Sequence, residues 1–152
     1  MNILVSSCLL GIPCRYDGQS KPCEAVRRLA GRHRLIPVCP EVLGGLPTPR
    51  EPSEIRPDGR VYSRIGQDVS EAYLAGAREA LRIARLHGCS LAILKEKSPS
   101  CGCGRIYDGS FTHTLTVGDG ICTALLRRNG IRAIGESSGE LEELFTRVSG
   151  SI

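Results

Sequence analysis

The sequence predicts an α/β fold in which a mostly parallel sheet is covered by helices on both faces. Short apolar runs of strand length recur along the chain, amphipathic stretches lie between them, and glycine or proline separates one from the next. Strands that alternate with helices are typical of a parallel sheet whose crossover helices cover both faces. We therefore expect a three-layer sandwich with a Rossmann-like sheet, spanning residues 1–152 as a single domain.

The individual elements follow from these patterns in chain order. Four apolar runs predict the strands of the sheet: residues 3–5, 35–38, 91–94 and 131–134. Four other stretches predict the helices: residues 24–30, 68–87, 118–129 and 141–148. Asp68 is expected to cap the longest helix, Glu71 to complete a capping box and Gly88 to end it. The stretch 42–59, rich in Gly, Pro and Arg, predicts a long structured binding loop.

The composition excludes several classes of protein. The chain is 41% hydrophobic and 24% charged, as in an ordinary globular domain. Its net charge of +4 is too small to predict nucleic-acid binding, although it suits a small anionic ligand. The sequence shows neither an apolar stretch of membrane-spanning length nor the basic and apolar segments of a signal peptide. We therefore expect a cytoplasmic protein with no membrane or nucleic-acid partner.

Three of the eight cysteines lie just beyond predicted strands. Cys8 follows the first strand, Cys39 follows the second, and Cys101 lies in the loop after the third. Because ligands bind at the carboxyl ends of parallel strands, these thiols should meet at one sheet edge, where they suit a metal ion or an iron–sulfur cluster. The spacing does not choose between the two. A closed zinc site would need a fourth ligand from Cys14 or Cys103, whereas a cluster on three cysteines leaves one iron open.

Other polar residues of the same loops are candidates for chemistry. Glu41 follows Cys39 by two positions and is a candidate general base, and Ser98 and Ser100 flank Pro99 in the third cysteine loop. Basic residues of these loops are candidates for binding an anion or an oxygen-rich ring: Arg15, Arg50, Lys95 and Lys97. Ordinary structural roles compete with each interpretation, because such groups often form turns or solvated surface pairs. The remaining cysteines are expected in the core and the histidines in structural or surface roles: Cys23, Cys89, Cys122, His33, His87 and His113.

Four motifs, taken in order, resemble the thiouracil desulfidase family. They are Ser7–Gly11, Arg15–Gly18, the segment from Cys39–Glu41 to Gly44–Arg50, and Leu94–Lys95 with Ser98–Gly102. The resemblance extends to about Gly135. It implies an enzyme that converts 2- or 4-thiouracil, or 4-thiouridine monophosphate, to uracil or UMP and releases sulfide. It also implies a [4Fe-4S] cluster on Cys8, Cys39 and Cys101.

The resemblance also implies roles for the other candidates. Glu41 corresponds to the family's catalytic acidic residue, and the catalytic serine is placed at Ser98, with Ser100 as the second choice. The predicted substrate-binding residues are Arg15, Arg50 and Lys95. Two alternatives remain open: a non-catalytic zinc or iron–sulfur binding module, and a sulfur-transfer enzyme that carries a persulfide on an exposed cysteine of low pKa.

Overall fold

The computed structural model describes residues 1–146 and confirms the predicted α/β fold. The strands are β1 (Asn2–Ser6), β2 (Arg34–Val38), β3 (Ser53–Ile55), β4 (Val61–Ser63), β5 (Leu91–Leu94), β6 (Arg105–Tyr107), β7 (Leu115–Val117) and β8 (Arg132–Gly135). The helices are α1 (Glu24–Arg27), α2 (Pro40–Leu43), α3 (Ser70–Leu86), α4 (Ile121–Arg128) and α5 (Glu140–Thr146). Two 3₁₀ turns, Ser7–Leu10 and Arg28–Gly31, follow β1 and α1.

The central sheet has four parallel strands in the order β2-β1-β5-β8. The two inner strands are buried on both faces, which explains why β1 and β5 are continuous apolar runs rather than alternating ones. The edge strand β2 accommodates Pro37, because an edge strand has one side without ladder hydrogen bonds. The four predicted strands are therefore the four strands of this sheet.

Helices cover the sheet on both faces and enclose two hydrophobic cores. On one face, α3 and α4 pack on the sheet through small residues such as Ala77, Ala80 and Ala84. On the other face, α1 and α5 pack against side chains that include Val5 and Ile93. The alternation of side chains along each strand supplies both cores at once.

Several boundaries differ from the prediction. The capping box is wrong, because α3 begins at Ser70 after Val69, and Asp68 binds Arg60 and the Ser70 N–H instead of capping with Glu71. The predicted helix 24–30 is divided between α1 and a 3₁₀ turn. The predicted end of the last helix, at residue 148, lies outside the described residues.

The stretch predicted as one long loop contains the end of α2 and the strand β3. β3 pairs with β4 in an antiparallel hairpin, and β6 pairs with β7 in a second one. Both hairpins lie outside the central sheet, and β3 contacts β6. Within residues 1–146, no helix is both long enough and apolar enough to cross a membrane.

Candidate active site

A cavity of about 480 Å³ lies at the carboxyl ends of β1, β2 and β5. Its size falls within the usual range of small-molecule sites. All nine predicted site residues line it: Cys8, Cys39, Cys101, Glu41, Ser98, Ser100, Arg15, Arg50 and Lys95. The parallel register explains this convergence, because three neighbouring strands end at the same edge of the sheet.

The position of Cys39 depends on close packing between α2 and α3. Cys39 is the residue between β2 and α2, and Glu41 lies in the first turn of α2. A Cβ atom on Gly44 would overlap with the backbone of α3, and one on Gly76 would overlap with the Pro40 carbonyl. The two helices therefore meet backbone to backbone, and this contact places Cys39 and Glu41 at the cavity.

The loop that carries Cys101 is held against the start of α4. The Ser98 hydroxyl accepts the N–H of Ser100 at 3.1 Å and that of Cys101 at 2.9 Å, which closes a tight turn. Backbone N–H groups at the start of α4 donate to the carbonyls of Pro99 and Ser100. A Cβ atom on Gly120 would overlap with the backbone of Ser100, so this approach requires glycine. Cys101 is thus held in place by the Ser98 hydroxyl of its own loop and by the backbone contact of the preceding residues with the start of α4.

Glu41 forms an almost fully buried ion pair with Arg50. The Arg50 Nε donates to Glu41 Oε1 at 3.0 Å, and the two side chains are 6% and 13% exposed respectively. The Arg50 Nη1 donates to Pro47 O and Thr48 Oγ1, each at 3.1 Å, and Nη2 donates to Cys14 O at 2.9 Å. Because the protein already supplies four acceptors, this geometry favours a role for Arg50 in orienting Glu41 over its predicted role in binding substrate.

A chain of hydroxyl groups connects Glu41 to Ser98. The Ser100 Oγ donates to Glu41 Oε2 at 2.9 Å, and it lies 3.0 Å from the Ser98 Oγ. Ser100 is buried, whereas Ser98 is partly exposed. Since Ser100 donates to the carboxylate and Ser98 already accepts two backbone N–H groups, the hydroxyl proton of Ser98 remains able to donate to Ser100 or to a bound molecule. The arrangement can therefore pass a proton between the cavity and Glu41.

Tyr73 is a residue of this site that the sequence analysis missed. Its phenol lies beside Glu41 and Ser53, and burial followed by the Glu41 carboxylate raises its pKa far above the usual range. Its position on the buried face of α3 resembles ordinary core packing, so the sequence pattern contains no signal for it. Tyr73 is therefore a buried residue of the cavity lining next to the Glu41 carboxylate.

Cys14 is a fourth thiol in the cavity, next to Cys8 and Cys39. The hydrogen bond that the Cys39 thiol donates to Cys14, followed by burial, raises the pKa of Cys39, and burial raises the pKa of the Cys101 thiol to about 12. For Cys14, the hydrogen bond with Cys39 lowers the pKa, but the hydrogen bond with Cys8 and burial outweigh it and raise the value. Raised pKa values at Cys14, Cys39 and Cys101 do not match the exposed cysteine of low pKa that the persulfide alternative requires.

The other candidate spare ligand, Cys103, does not line the cavity. Cys103 is partly buried against the hydrophobic core that α3 and α4 form on one face of the sheet. Burial there raises the pKa of its thiol to about 11. Cys89 and Cys122 are buried in that same core, and Cys23 is partly buried in the other, as the sequence predicted. Cys14 is therefore the one additional thiol, among residues 1–146, that shares the cavity with the predicted ligands.

The donor set fits an iron–sulfur cluster better than a single zinc ion. All eight cysteines are free, and the three at the strand ends line one cavity. In the part of the chain that the structure describes, no three His, Cys, Asp or Glu side chains converge closely enough to hold one metal ion. A cluster distributes its thiolates over several irons, so its ligands need not converge on a single point. Thiolate is also the usual protein ligand of such clusters.

The fold and the cavity together define an α/β enzyme whose site combines soft sulfur donors with an acid–base chain. The 2-thiouracil desulfurase family model matches residues 3–138. An uncharacterized protein of Bacillus subtilis (strain 168), YbbK, is 43% identical, and the match covers 94% of this chain and 99% of that protein. The solved structure of the [4Fe-4S]-dependent thiouracil desulfidase TudS is 46% identical, with a TM-score of 0.85 over 94% of each chain.

The chain belongs to the 2-thiouracil desulfurase family. This confirms the family that the four motifs indicated and the prediction that the protein is an enzyme. The individual roles of the site residues remain predictions, and the geometry above supplies the reasons for proposing them.

Proposed function

We propose that this protein is a [4Fe-4S]-dependent desulfidase that hydrolyses the carbon–sulfur bond of thiolated pyrimidines. The thiocarbonyl substrate and one water give the corresponding carbonyl product and hydrogen sulfide, with no net change of oxidation state. The observation that carries this proposal is that Cys8, Cys39 and Cys101 share one cavity with the Glu41–Ser100–Ser98 chain. Neither a structural zinc site nor a persulfide carrier requires that acid–base chain.

Cys8, Cys39 and Cys101 are the residues that would hold the cluster. The TudS structure, similar to this chain over 94% of its length, is described as [4Fe-4S]-dependent, which supports the assignment. When bound, such a cluster would supply a Lewis-acidic iron suited to a soft sulfur atom. Cys14 lies beside two of these ligands, and its own role would be to shield them from solvent.

Glu41 would act as the general base that takes a proton from the attacking water. Arg50 holds one carboxylate oxygen and Ser100 holds the other, so the group is oriented before substrate arrives. Ser98 would donate its hydroxyl proton to the pyrimidine ring and recover one through Ser100. Both serines of the motif therefore have a role, with Ser98 facing substrate and Ser100 connecting it to the base.

The charges around the cavity favour a nucleotide over a free base. Arg15 lies near Asp17, and Lys95 binds Glu136 at 2.9 Å. Lys21 and Lys97 also line the cavity, and neither has a carboxylate oxygen within 4 Å among residues 1–146. These two ammonium groups are suited to a phosphate, so we propose 4-thiouridine monophosphate as the preferred substrate class.

The first experiment is anaerobic purification followed by measurement of iron, zinc, acid-labile sulfide and the visible spectrum. We expect about four irons and four sulfides per chain, with release of sulfide from 4-thiouracil and its nucleotide. About one zinc without sulfide, or a loaded cluster without turnover of any thiopyrimidine, would overturn the proposal. Substituting Lys21 and Lys97 by Ala should raise KM for the nucleotide and leave KM for the base unchanged.

Glu41→Gln tests the proposed base directly. We expect the cluster spectrum to persist and kcat to fall by about 10²- to 10⁴-fold, the usual contribution of a positioned acid–base group. Glu79→Gln, at a partly exposed position on α3 where the carboxylate pairs with Arg82 and does not line the cavity, is the matched control and should retain full turnover. A Glu41→Gln enzyme with wild-type kcat would contradict the role given to Glu41.

A further inference from the structure

Backbone strain is concentrated at the cavity. Three residues other than glycine have a positive φ among residues 1–146: Lys97 at 72°, Phe111 at 57° and His113 at 57°. All three line the cavity. Left-handed backbone is unfavourable for residues with a side chain, and it persists where the surroundings enforce it, often at ligand sites. The loop between β6 and β7, which holds two of these residues, therefore has a conformation that calls for an explanation.

The loop and the end of β6 contribute both aromatic residues of the cavity and exposed hydroxyl groups. Tyr107, Phe111 and His113 line the cavity, and the rings of Tyr107 and His113 meet edge to face with centroids 6.1 Å apart. On the other side, exposed hydroxyls form a chain from Ser110 to Thr112 at 2.6 Å, which continues to Thr114 at 2.8 Å. The β6–β7 hairpin thus brings three aromatic residues to the cavity, of which Phe111 and Tyr107 are partly buried and His113 is exposed, and it presents a polar edge to solvent.

Glu54, on the neighbouring hairpin, holds this loop in place. Its Oε1 accepts the N–H of Gly109 at 3.0 Å and the N–H of Phe111 at 3.1 Å. A Cβ atom on Gly109 would lie 2.9 Å from the backbone of Arg56, so the loop also sits tightly against β3. A single carboxylate therefore fixes the backbone at Phe111, one of the three aromatic residues that line the cavity.

We propose that Phe111, which lines the cavity together with Tyr107 and His113, forms a stacking platform for the planar heteroaromatic ring of the substrate, with Glu54 as its positioning residue. This inference rests on the proposed function and names the feature that would recognise the ring itself rather than its sulfur or its phosphate. Planar rings stack on aromatic side chains regardless of their substituents. The platform would therefore select for an unsaturated, flat ring and tolerate different thio positions.

Equilibrium binding of two probes to the cluster-loaded protein tests the platform. UMP has a planar base, whereas 5,6-dihydro-UMP has the same ribose phosphate and a puckered, non-aromatic base. We expect wild-type protein to prefer UMP, and Phe111→Ala to weaken UMP binding by about 5- to 100-fold, the range for losing one base–aromatic stack. Dihydro-UMP binding should change little, and Phe111→Tyr should restore the preference. Equal affinities in the wild type, or an equal loss for both probes, would overturn the proposal.

Turnover separates this inference from the proposed function. With 4-thiouridine monophosphate, Phe111→Ala should raise KM and leave kcat and the cluster spectrum near those of the wild type. If the wild type turns over no thiopyrimidine, the proposed function fails. If the wild type is active and Phe111→Ala keeps its KM, the platform fails alone.

The role of Glu54 is tested by a pair of variants. Glu54→Ala removes the acceptor of both N–H groups, so KM should rise while kcat stays within about twofold of wild type. Glu54→Gln keeps an amide oxygen at the same place and should restore most of the affinity. Loss of affinity that Glu54→Gln does not rescue would contradict positioning through these two hydrogen bonds.

Discussion

The cavity has two walls that are built differently. The thiol wall consists of the 3₁₀ turn Ser7–Leu10, Cys39 with the following helix α2, and the loop Ser98–Gly104, and it contains the three strand-end cysteines. The hairpin wall consists of the β3–β4 and β6–β7 hairpins. The thiol wall packs backbone to backbone against Gly76 of α3 and against Gly120 at the start of α4, where there is no room for a side chain. The β6–β7 loop of the hairpin wall is held by side-chain hydrogen bonds and contains strained residues.

This difference separates two tasks. The ligands of a cluster and a general base must hold fixed positions, and close backbone packing prevents them from moving. A surface that binds a flat ring needs a defined shape but can adjust slightly, and exposed hydrogen bonds permit that adjustment. We therefore expect changes in the thiol wall to affect stability and iron content, and changes in the hairpin wall to affect substrate affinity.

The largest effect on the thiol wall is expected from Arg50→Ala. Removing one partner of a buried pair leaves the Glu41 carboxylate uncompensated, which should lower the free energy of unfolding by about 3–5 kcal/mol. Arg50→Lys keeps the positive charge but loses the several N–H donors of the guanidinium group. Its free energy of unfolding should therefore lie between those of Arg50→Ala and the wild type. Anaerobic urea denaturation measures both, and an Arg50→Ala protein as stable as the wild type would show that the pair has no structural role.

The next effect concerns the contact between α2 and α3. Gly76→Ala would place a methyl group against the Pro40 carbonyl, so α2 must move, at a cost of about 1–3 kcal/mol or somewhat more. Because Cys39 immediately precedes α2, iron content after reconstitution should fall as well. Gly31→Ala, where a Cβ atom meets nothing within 4 Å, is the control and should match wild type in both measurements. Full iron loading of Gly76→Ala would show that the packing of α2 on α3 does not position the Cys39 thiol.

Gly120→Ala is a narrower test of the same wall. The added methyl group would press on the backbone of Ser100, next to Cys101, and should cost about 1–3 kcal/mol. Its effect should concentrate on the third cysteine loop, so the iron content should fall further than the stability loss alone would cause. Thermal denaturation and iron analysis of one preparation test this expectation. A drop in stability with normal iron content would show that the contact between Gly120 and Ser100 does not position Cys101.

The smallest effect is expected in the hairpin wall. His113→Gly relieves one left-handed residue, so it should leave the protein as stable as wild type or stabilise it by up to about 1 kcal/mol. The same change removes an aromatic residue that lines the cavity with Phe111 and should raise KM a few-fold. His113→Asn, which tolerates this backbone conformation, should match the glycine variant in affinity without gaining its stability. A clear loss of stability in His113→Gly would show that the hairpin wall is packed as tightly as the thiol wall.

Much of the site was predictable because its signals are local in the sequence. Cys8 and Cys39 each follow an apolar run, and the position of a thiol just beyond a parallel strand implies the sheet edge without any knowledge of the strand order. The motifs around these residues then indicated the family, which the comparisons confirmed. Tyr73, Phe111 and Glu54 had no such signal, because the contacts that give them meaning come from elements distant in the sequence.

The sequence by itself determined the alternation of strands and helices, the strand-end thiols and the family, because each depends on short-range patterns of hydrophobicity and spacing. The tertiary structure decided which donors are occupied and which remain free. Arg50 donates to acceptors of the protein itself. Lys21 and Lys97 have no carboxylate partner among residues 1–146. Cys103 packs against the hydrophobic core and does not line the cavity. Those outcomes depend on the distances between segments far apart in the chain, which only the packing of the sheet, helices and hairpins sets.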